Sequence, residues 1–350
     1  MRALVTGGAG FIGSALVRSL LGDGVPVACL DALTYAGNRE NLPDVRETPE
    51  FEFVEADIRD REKVRALLQA FQPTTVFHLA AETHVDRSID DPARTFETNI
   101  AGTYALLAEV TDYWKTLGVS KAEGFRYLHV STDEVFGSAG PDECFVESTR
   151  YAPNSPYAAS KASADYLVRT WAMAFGLPVL IGHGANTYGP YQFPEKLIPL
   201  MILHALEGRR LPIYGDGGQV RDWIHVDDHV AGLRAIADRG HPGESYIVSA
   251  RNPQTNLDIV RALCRALDRL HPSGQPHEDL IEHVTDRPAH DRRYVSDPAK
   301  IENELDWHAE ISFADGLSET VDWYLENRDW SMQTSERYDR TRLGLGQVAQ

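Results

Sequence analysis

Three observations predict an α/β protein: a doubly wound, Rossmann-type parallel sheet with a smaller C-terminal substrate-binding lobe. Short apolar runs alternate with helical stretches through the first half, a glycine cluster separates the first run from the first helix, and an acid closes the second run. At 350 residues the chain is long enough for one large core and a subordinate lobe.

Ala3 to Thr6 reads as a short buried strand and Ser14 to Leu21 as the amphipathic helix that follows it. Between them, Gly7, Gly10 and Gly13 allow a tight turn, close approach of a pyrophosphate to N–H groups at the helix N-terminus, and close helix–strand packing. The run Val25 to Leu30 ends in Asp31, about 20 residues beyond the glycines, where a carboxylate can accept both ribose hydroxyls. No arginine follows at Ala32 or Leu33 to receive a 2′-phosphate, so NAD is expected rather than NADP. The rhythm continues with a strand at Phe51 to Val54, a helix from Arg61 to Phe71, a strand from Thr75 to Ala81 and a long helix from Ala93 to Trp114. Asp57 and Ile58 could then flank an adenine, and Leu79, Ala80 and Ala81 line the nicotinamide ribose, with a plain turn as the alternative for each.

The formal charge of −18 argues against wrapping nucleic acid or docking on an anionic membrane, while a local arginine cluster can still hold a diphosphate. Cys29, Cys144 and Cys264 stand far apart, with no metal-ligand spacing, so no metal is expected and reduced thiols are. Glycines follow Met1 to Thr6 too early for a signal peptide, and nowhere do about 18 apolar residues run together. A cytoplasmic location is expected.

Thr132-Asp133-Glu134 places a hydroxyl and two carboxyls where the apolar run Tyr127 to Val130 ends. Successive side chains on a strand point to opposite faces, so Asp133 and Glu134 converge on one ligand only if the backbone bends after Thr132. Tyr157 and Lys161 open a helix that runs to about Phe175. Their i, i+4 spacing puts phenol and ammonium on one face, where the cation is expected to lower the phenol's pKa and make it a base near neutrality.

Glycines, Asp31, Thr132, Tyr157 and Lys161 in this order resemble the extended branch of the short-chain dehydrogenase/reductase superfamily. Leu33 to Asn38, Ala81 to Ser88, Ser131 to Val135, Tyr188 to Tyr191, Pro194 to Pro199, Arg221 to Trp223 and Asp286 to Asp291 narrow this, because they look like the dTDP-glucose 4,6-dehydratase family. The resemblance implies that Tyr157 takes a proton from a sugar hydroxyl while NAD takes hydride from C4, that Lys161 holds the nicotinamide ribose, and that Thr132 shares a proton with Tyr157. It further implies Glu134 as the base at C5, Asp133 as the acid for the departing C6 hydroxyl, and hydride return to C6. Such a pair needs separated pKa values, one carboxyl ionised and one protonated. The implied cofactor contacts are Gly7, Gly10, Phe11, Ile12, Gly13, Asp31, Ala32, Leu33, Thr34, Asp57, Ile58, Leu79, Ala80, Ala81, Thr98, Tyr157 and Lys161. The implied nucleotide-sugar contacts are Thr83, Thr132, Asn186, Lys196, Leu197, Arg221, Asn256, Arg287 and His290.

The βα rhythm becomes irregular from about Tyr188, with Pro190, Pro194, Pro199 and Pro212 and a turn at Gly215 to Gly218. Residues 1–187, with a returning segment near 220–250, are therefore assigned to the cofactor domain, 188–330 mainly to the sugar-nucleotide lobe, and 331–350 to a surface tail without periodicity. Three positions depart from the family pattern: Thr187 where a second asparagine is usual, Ser249-Ala250-Arg251 in place of a glycine pair, and Phe136 for a common tyrosine. Tyr104, Trp114, Tyr166, Trp171 and Phe175 are read as core packing, with pairing of two helices across a twofold axis as the rival; a homodimer is expected. Two other functions are weighed: an epimerase or decarboxylase of the same superfamily, which does not require the Asp133-Glu134 pair, and a catalytically silent NAD-binding sensor, which has no need of Tyr157 and Lys161.

Overall fold

The computed structural model describes residues 1–286 and 290–336. Its central sheet has seven parallel strands: β1 (Ala3–Thr6), β2 (Val27–Asp31), β3 (Phe51–Glu55), β4 (Thr75–His78), β5 (Arg126–Thr132), β6 (Val179–Gly184) and, far along the chain, Ser245–Val248. The last of these lies beside β6, and the order continues β5, β4, β1, β2, β3. The direction in which successive strands are added therefore reverses between β1 and β4, which opens a crevice at the carboxyl ends of the strands. This is a Rossmann-type α/β fold.

Strand alternation divides the apolar residues between two layers. Ala3, Val5, Val27, Cys29, Phe77 and Leu128 face one layer, packed with Leu16, Leu20, Leu233 and Ile236. Leu4, Ala28, Leu30, Val76 and Tyr127 face the other, packed with Leu67, Leu106, Val110 and Val168. Helices cover both faces, so the inner strands are mainly apolar on both sides while the edge strand Phe51–Glu55 exposes two glutamates, and each fully buried Leu or Val contributes roughly 1.5–3 kcal/mol. A third cluster, around Ile202, Leu263 and Val321, forms the core of the later residues. There Val220–His225 pairs with Asn186–Tyr188 and Pro253–Thr255, and Leu211–Tyr214 pairs with Ile281–Val284. The helix Val226–Arg239 then returns to the central sheet.

Four readings of the sequence are corrected. The fourth strand ends at His78, freeing Leu79 to Ala81 as a loop. The long helix is three pieces, Pro92–Phe96, a π-helical turn Glu97–Gly102, and Thr103–Lys115. Asn99 in the wide turn bonds the backbone of Glu82 on both sides and Ser160 Oγ at 2.8 Å, so the interruption ties the loop after β4 to the helix Pro156–Phe175. The aromatic residues of these helices are only partly core: Trp114 and Trp171 pack inward, but Tyr104, Tyr166 and Phe175 are exposed, as are Phe96 and Met173. The tail does not begin at Ser331, because Arg328–Glu336 is a helix in which Ser331 and Thr334 are buried; residues 337–350 lie outside the described residues. Trp330 of this helix donates to Asn41 Oδ1 at 2.9 Å, and Asn41 donates to the carbonyl of Ala9 in the glycine turn.

Candidate active site

A cavity of about 620 Å³ occupies the crevice and is lined from β2, β5 and β6 and from the loops after β1 and β4. At one end lies the glycine turn. Gly7 has φ +70, and a Cβ there would stand 2.7 Å from the Ala80 nitrogen; a Cβ on Gly13 would collide with the Gly7 carbonyl. Both glycines are thus required for the turn to lie against the loop after β4 and against its own helix. The helix Phe11–Gly22 starts at Gly10 with no side-chain cap and no acid in its first turn, which leaves its N–H groups for an anion. Asp31 Oδ2 accepts from Ala9 N at 2.9 Å and Oδ1 from Leu33 N at 2.8 Å, so the carboxylate is held at the cavity wall.

Of the expected cofactor contacts, Gly7, Gly10, Phe11, Ile12, Gly13, Asp31, Ala32, Thr34, Asp57, Ile58, Leu79, Ala80, Ala81 and Thr98 line this cavity. Leu33 does not: its φ of +50 turns it aside, and its backbone orients Asp31 instead. These donors and carboxylate fit a dinucleotide whose adenosine ribose has a free 2′-hydroxyl.

The other end is built around the required bend. β5 stops at Thr132, and Asp133–Phe136 forms a 3₁₀ turn whose Glu134 N–H donates to Thr132 Oγ1 at 3.2 Å. The bend brings Thr132, Asp133 and Glu134 onto one cavity wall with Tyr157 and Lys161, and the Thr132 hydroxyl bonds the Tyr157 phenol. Asp133 is buried, with Ser296 Oγ 3.4 Å from its Oδ2. Burial, reinforced by Glu134 and Asp222, raises its pKa to about 8. The carboxyl is therefore protonated at neutrality, despite an opposing pull from Arg221.

The phenol departs from expectation. Burial pushes the Tyr157 pKa up, and Glu134 and Asp133 push it further, with the Thr132 hydrogen bond acting the other way. Lys161 turns its Nζ to the Val130 carbonyl at 2.8 Å, and burial lowers its own pKa to about 8. Burial is the largest of these effects, so the side chains alone do not make Tyr157 a ready base.

Among the expected sugar-nucleotide contacts, Thr83, Thr132, Asn186 and Lys196 line the cavity, and Lys196 Nζ donates to the Thr83 carbonyl at 2.9 Å. Leu197, Arg221, Asn256 and His290 do not line it. Leu197 packs on the later core, and Asn256 opens the helix Asn256–Leu270 with its N–H bonded to the Gln219 carbonyl. Arg221 is buried over the Tyr294 ring and donates to the Asp291 carbonyl at 2.9 Å, while His290 Nδ1 lies 2.6 Å from Asp286 Oδ1. Arg287 lies outside the described residues. Several lining residues were not singled out from the sequence. Tyr35 and Glu195 lie within quoted motifs and bond each other at 3.1 Å, so their signal was present; His229, which reaches Thr187 Oγ1 at 2.7 Å, carried none. No group of three or more metal-ligating side chains, and no helix long and apolar enough to cross a membrane, occurs among the described residues.

A family profile described as GDP-mannose 4,6 dehydratase matches residues 4–320. A dTDP-glucose 4,6-dehydratase of Salmonella typhimurium is 49% identical over 340 residues, covering 94% of each chain. One from Xanthomonas campestris pv. campestris strain B100 is 50% identical over 329 residues, covering 93% of this chain and 94% of that one. The chain belongs to the dTDP-glucose 4,6-dehydratase family. A crystal structure of a family member from Streptomyces venezuelae, described with NAD and TYD bound, superposes with a TM-score of 0.87 at 45% identity, covering 95% of this chain and all of that one. The fold reaches further than the family: a UDP-glucose 4-epimerase of Thermus thermophilus in complex with NAD gives a TM-score of 0.83 at 30% identity, covering 93% of this chain and 100% of that one.

Proposed function

We propose that this chain is an NAD-dependent nucleotide-sugar 4,6-dehydratase, converting dTDP-glucose or a related nucleoside-diphosphate hexose to its 4-keto-6-deoxy form. The observation that carries this reading is the bend after Thr132, which sets a protonated Asp133 and Glu134 on the wall that holds Tyr157. An epimerase needs no such pair.

When bound, NAD supplies reversible hydride acceptance, oxidising C4 first and reducing C6 last. Tyr157 takes the C4 hydroxyl proton, aligned by its hydrogen bond to Thr132. The resulting ketone acidifies C5, Glu134 removes that proton, and Asp133 protonates the C6 hydroxyl as its C–O bond breaks, releasing water. Glu134 then returns its proton to C5. Gly7, Gly10 and Gly13 hold the pyrophosphate, Asp31 the ribose, and Thr83, Asn186 and Lys196 the sugar nucleotide. Residues 1–187 with the return near 220–250 serve the cofactor, and 188–330 mainly the substrate.

Incubating purified protein with dTDP-, UDP-, GDP- and CDP-glucose and weighing the products tests the reading. Loss of one water from at least one of them is expected. Unchanged mass throughout overturns it, and unchanged mass with inverted C4 replaces it with epimerisation.

We also propose a homodimer formed through the exposed aromatic faces of Thr103–Lys115 and Pro156–Phe175. Tyr104, Tyr166, Met173 and Phe175 are 47%, 58%, 89% and 45% exposed, apolar area that a second copy would cover. Light scattering should give the mass of two chains, falling to one for Tyr166→Glu/Met173→Glu; a wild-type monomer would contradict this.

A further inference from the structure

The glycine turn is held from outside as well as by its own glycines. The Ala9 carbonyl accepts from Asn38 N at 3.0 Å and from Asn41 Nδ2 at 2.9 Å, while the Ala9 N–H donates to Asp31 Oδ2. Ala9 is thus fixed on both sides. The next residue, Gly10, starts the helix Phe11–Gly22, so any rotation at Ala9 re-aims the uncapped N–H groups that the helix leaves for an anion.

Asn41 is buried at the end of the 3₁₀ turn Arg39–Asn41. Its amide serves Ala9 only when turned one way, with nitrogen to the carbonyl and oxygen away. That buried oxygen then needs a donor of its own. Trp330 provides it, with Nε1 at 2.9 Å. An indole N–H can only donate and a backbone carbonyl can only accept, so the two neighbours together allow one orientation of the amide.

The indole is held in turn. Its ring meets Trp323 at 5.1 Å and Tyr191 at 5.7 Å between centroids, and Tyr191, at φ +66, also lies 4.5 Å beneath the Arg18 guanidinium of the glycine-turn helix. Arg18 donates to the Asn41 carbonyl. On the same C-terminal helix, Arg328–Glu336, Thr334 is buried with its Oγ1 3.5 Å from Asn38 Nδ2. These contacts converge on residues 38–41, the segment that grips Ala9, and neither Asn41 nor Trp330 lines the cavity.

We infer that Asn41 and Trp330 are positioning residues for the pyrophosphate of NAD: the indole locks the Asn41 amide, and the amide holds the glycine turn in the shape that presents its N–H groups to the diphosphate. The inference rests on the assignment of the glycine turn to the pyrophosphate, and not on the sugar or the reaction.

Calorimetric binding to the full chain stripped of nucleotide tests it, with NAD and ADP-ribose as probes. Trp330→Phe keeps an aromatic ring and removes the N–H, whereas Asn41→Leu keeps the volume and removes both amide groups. The Kd for NAD should rise about fivefold to tenfold in Trp330→Phe, as for one buried hydrogen bond lost, and further in Asn41→Leu. ADP-ribose should weaken by the same factors, because it carries the diphosphate without the nicotinamide. The double variant should bind no more weakly than Asn41→Leu, since the indole acts through the amide. Affinity for the nucleoside diphosphate that the wild-type chain binds at the sugar end should stay within about twofold, a selectivity that general loosening of the fold would not give. Unchanged NAD binding, equal weakening of both kinds of ligand, or additive losses in the double variant would each overturn the inference. Should Asn41→Leu not fold, Trp330→Phe decides by the same comparison of ligands. If no nucleotide sugar loses water, the dehydratase reading fails while the NAD and ADP-ribose titrations still decide the roles of Asn41 and Trp330.

Discussion

Tyr157→Phe should leave a folded protein that binds nucleotide sugar normally but no longer reduces its nicotinamide when substrate is added. The phenol is the group bonded to Thr132 on the wall shared with Asp133 and Glu134, and phenylalanine keeps its packing while removing the oxygen that accepts the C4 proton. A lost general base costs about 10²–10⁴ in rate, so single-turnover absorbance of reduced nicotinamide should fall by at least a hundredfold. The KM against kcat split matters here: binding should change little, because one neutral hydroxyl contributes about 1 kcal/mol. A normal absorbance rise would remove Tyr157 as the base. Because burial and the neighbouring carboxyls raise the phenol's pKa, bound NAD would have to supply the further positive charge that makes it a base. Wild-type reduction should therefore quicken as pH rises toward the Lys161 midpoint and fail beyond it.

Asp133→Asn and Glu134→Gln should each stop water loss yet differ from one another. Glu134→Gln leaves C4 oxidation intact and abolishes solvent-deuterium exchange at C5, whereas Asp133→Asn permits that exchange but lowers dehydration by about 10²–10⁴, because an amide has no proton to give the departing hydroxyl. Persistent exchange at C5 in Glu134→Gln would sink its assignment. For Asp133 the pH sign follows from burial. Its folded pKa, about 8, stands above the unfolded value, so its contribution to stability is complete below the unfolded value and is lost as pH rises through about 8. Asp133→Asn should thus melt a few degrees higher than the parent at pH 9 and alike at pH 4, a gain in stability bought with activity. Equal melting at pH 9 would mean that Asp133 is not held protonated by its surroundings. In the wild-type protein, dehydration should slow above the same pH.

Much of the cofactor end was legible because its requirements are local. Gly13 admits no side chain because a Cβ there would strike Gly7 of the same turn, the positive φ of Gly7 favours glycine, and Asp31 sits at the end of a strand whose length sets its distance from the glycine turn. Strand and helix types followed from periodicity. Leu33 was misplaced because its left-handed backbone is a product of the turn that holds Asp31, which no residue type announces. The π-helical turn was hidden for a similar reason: Asn99 looks like any helical residue until Glu82 and Ser160 are seen on either side of it.

The sugar end was harder to read. Arg221, Asn256 and His290 belong to motifs carried by the family resemblance and lie outside the cavity lining, Arg221 over the Tyr294 ring and His290 beside Asp286. The helix across Ser331 to Glu336 was not expected, because Trp330, next to it, finds Asn41 almost three hundred residues earlier, and a contact across such a separation leaves no trace in local periodicity.

By itself the sequence determined the order of the parallel strands' residues, the anion-binding turn, the preference for NAD and the presence of a hydroxyl, two carboxyls, a phenol and an ammonium capable of dehydration. Those properties reside in residue types at short spacing. Tertiary structure alone decided how they act: the bend after Thr132 that turns two adjacent carboxyls to one wall, and the burial that protonates Asp133. Charge states depend on what excludes water from a group, and for these residues that work is done by segments far away in the chain.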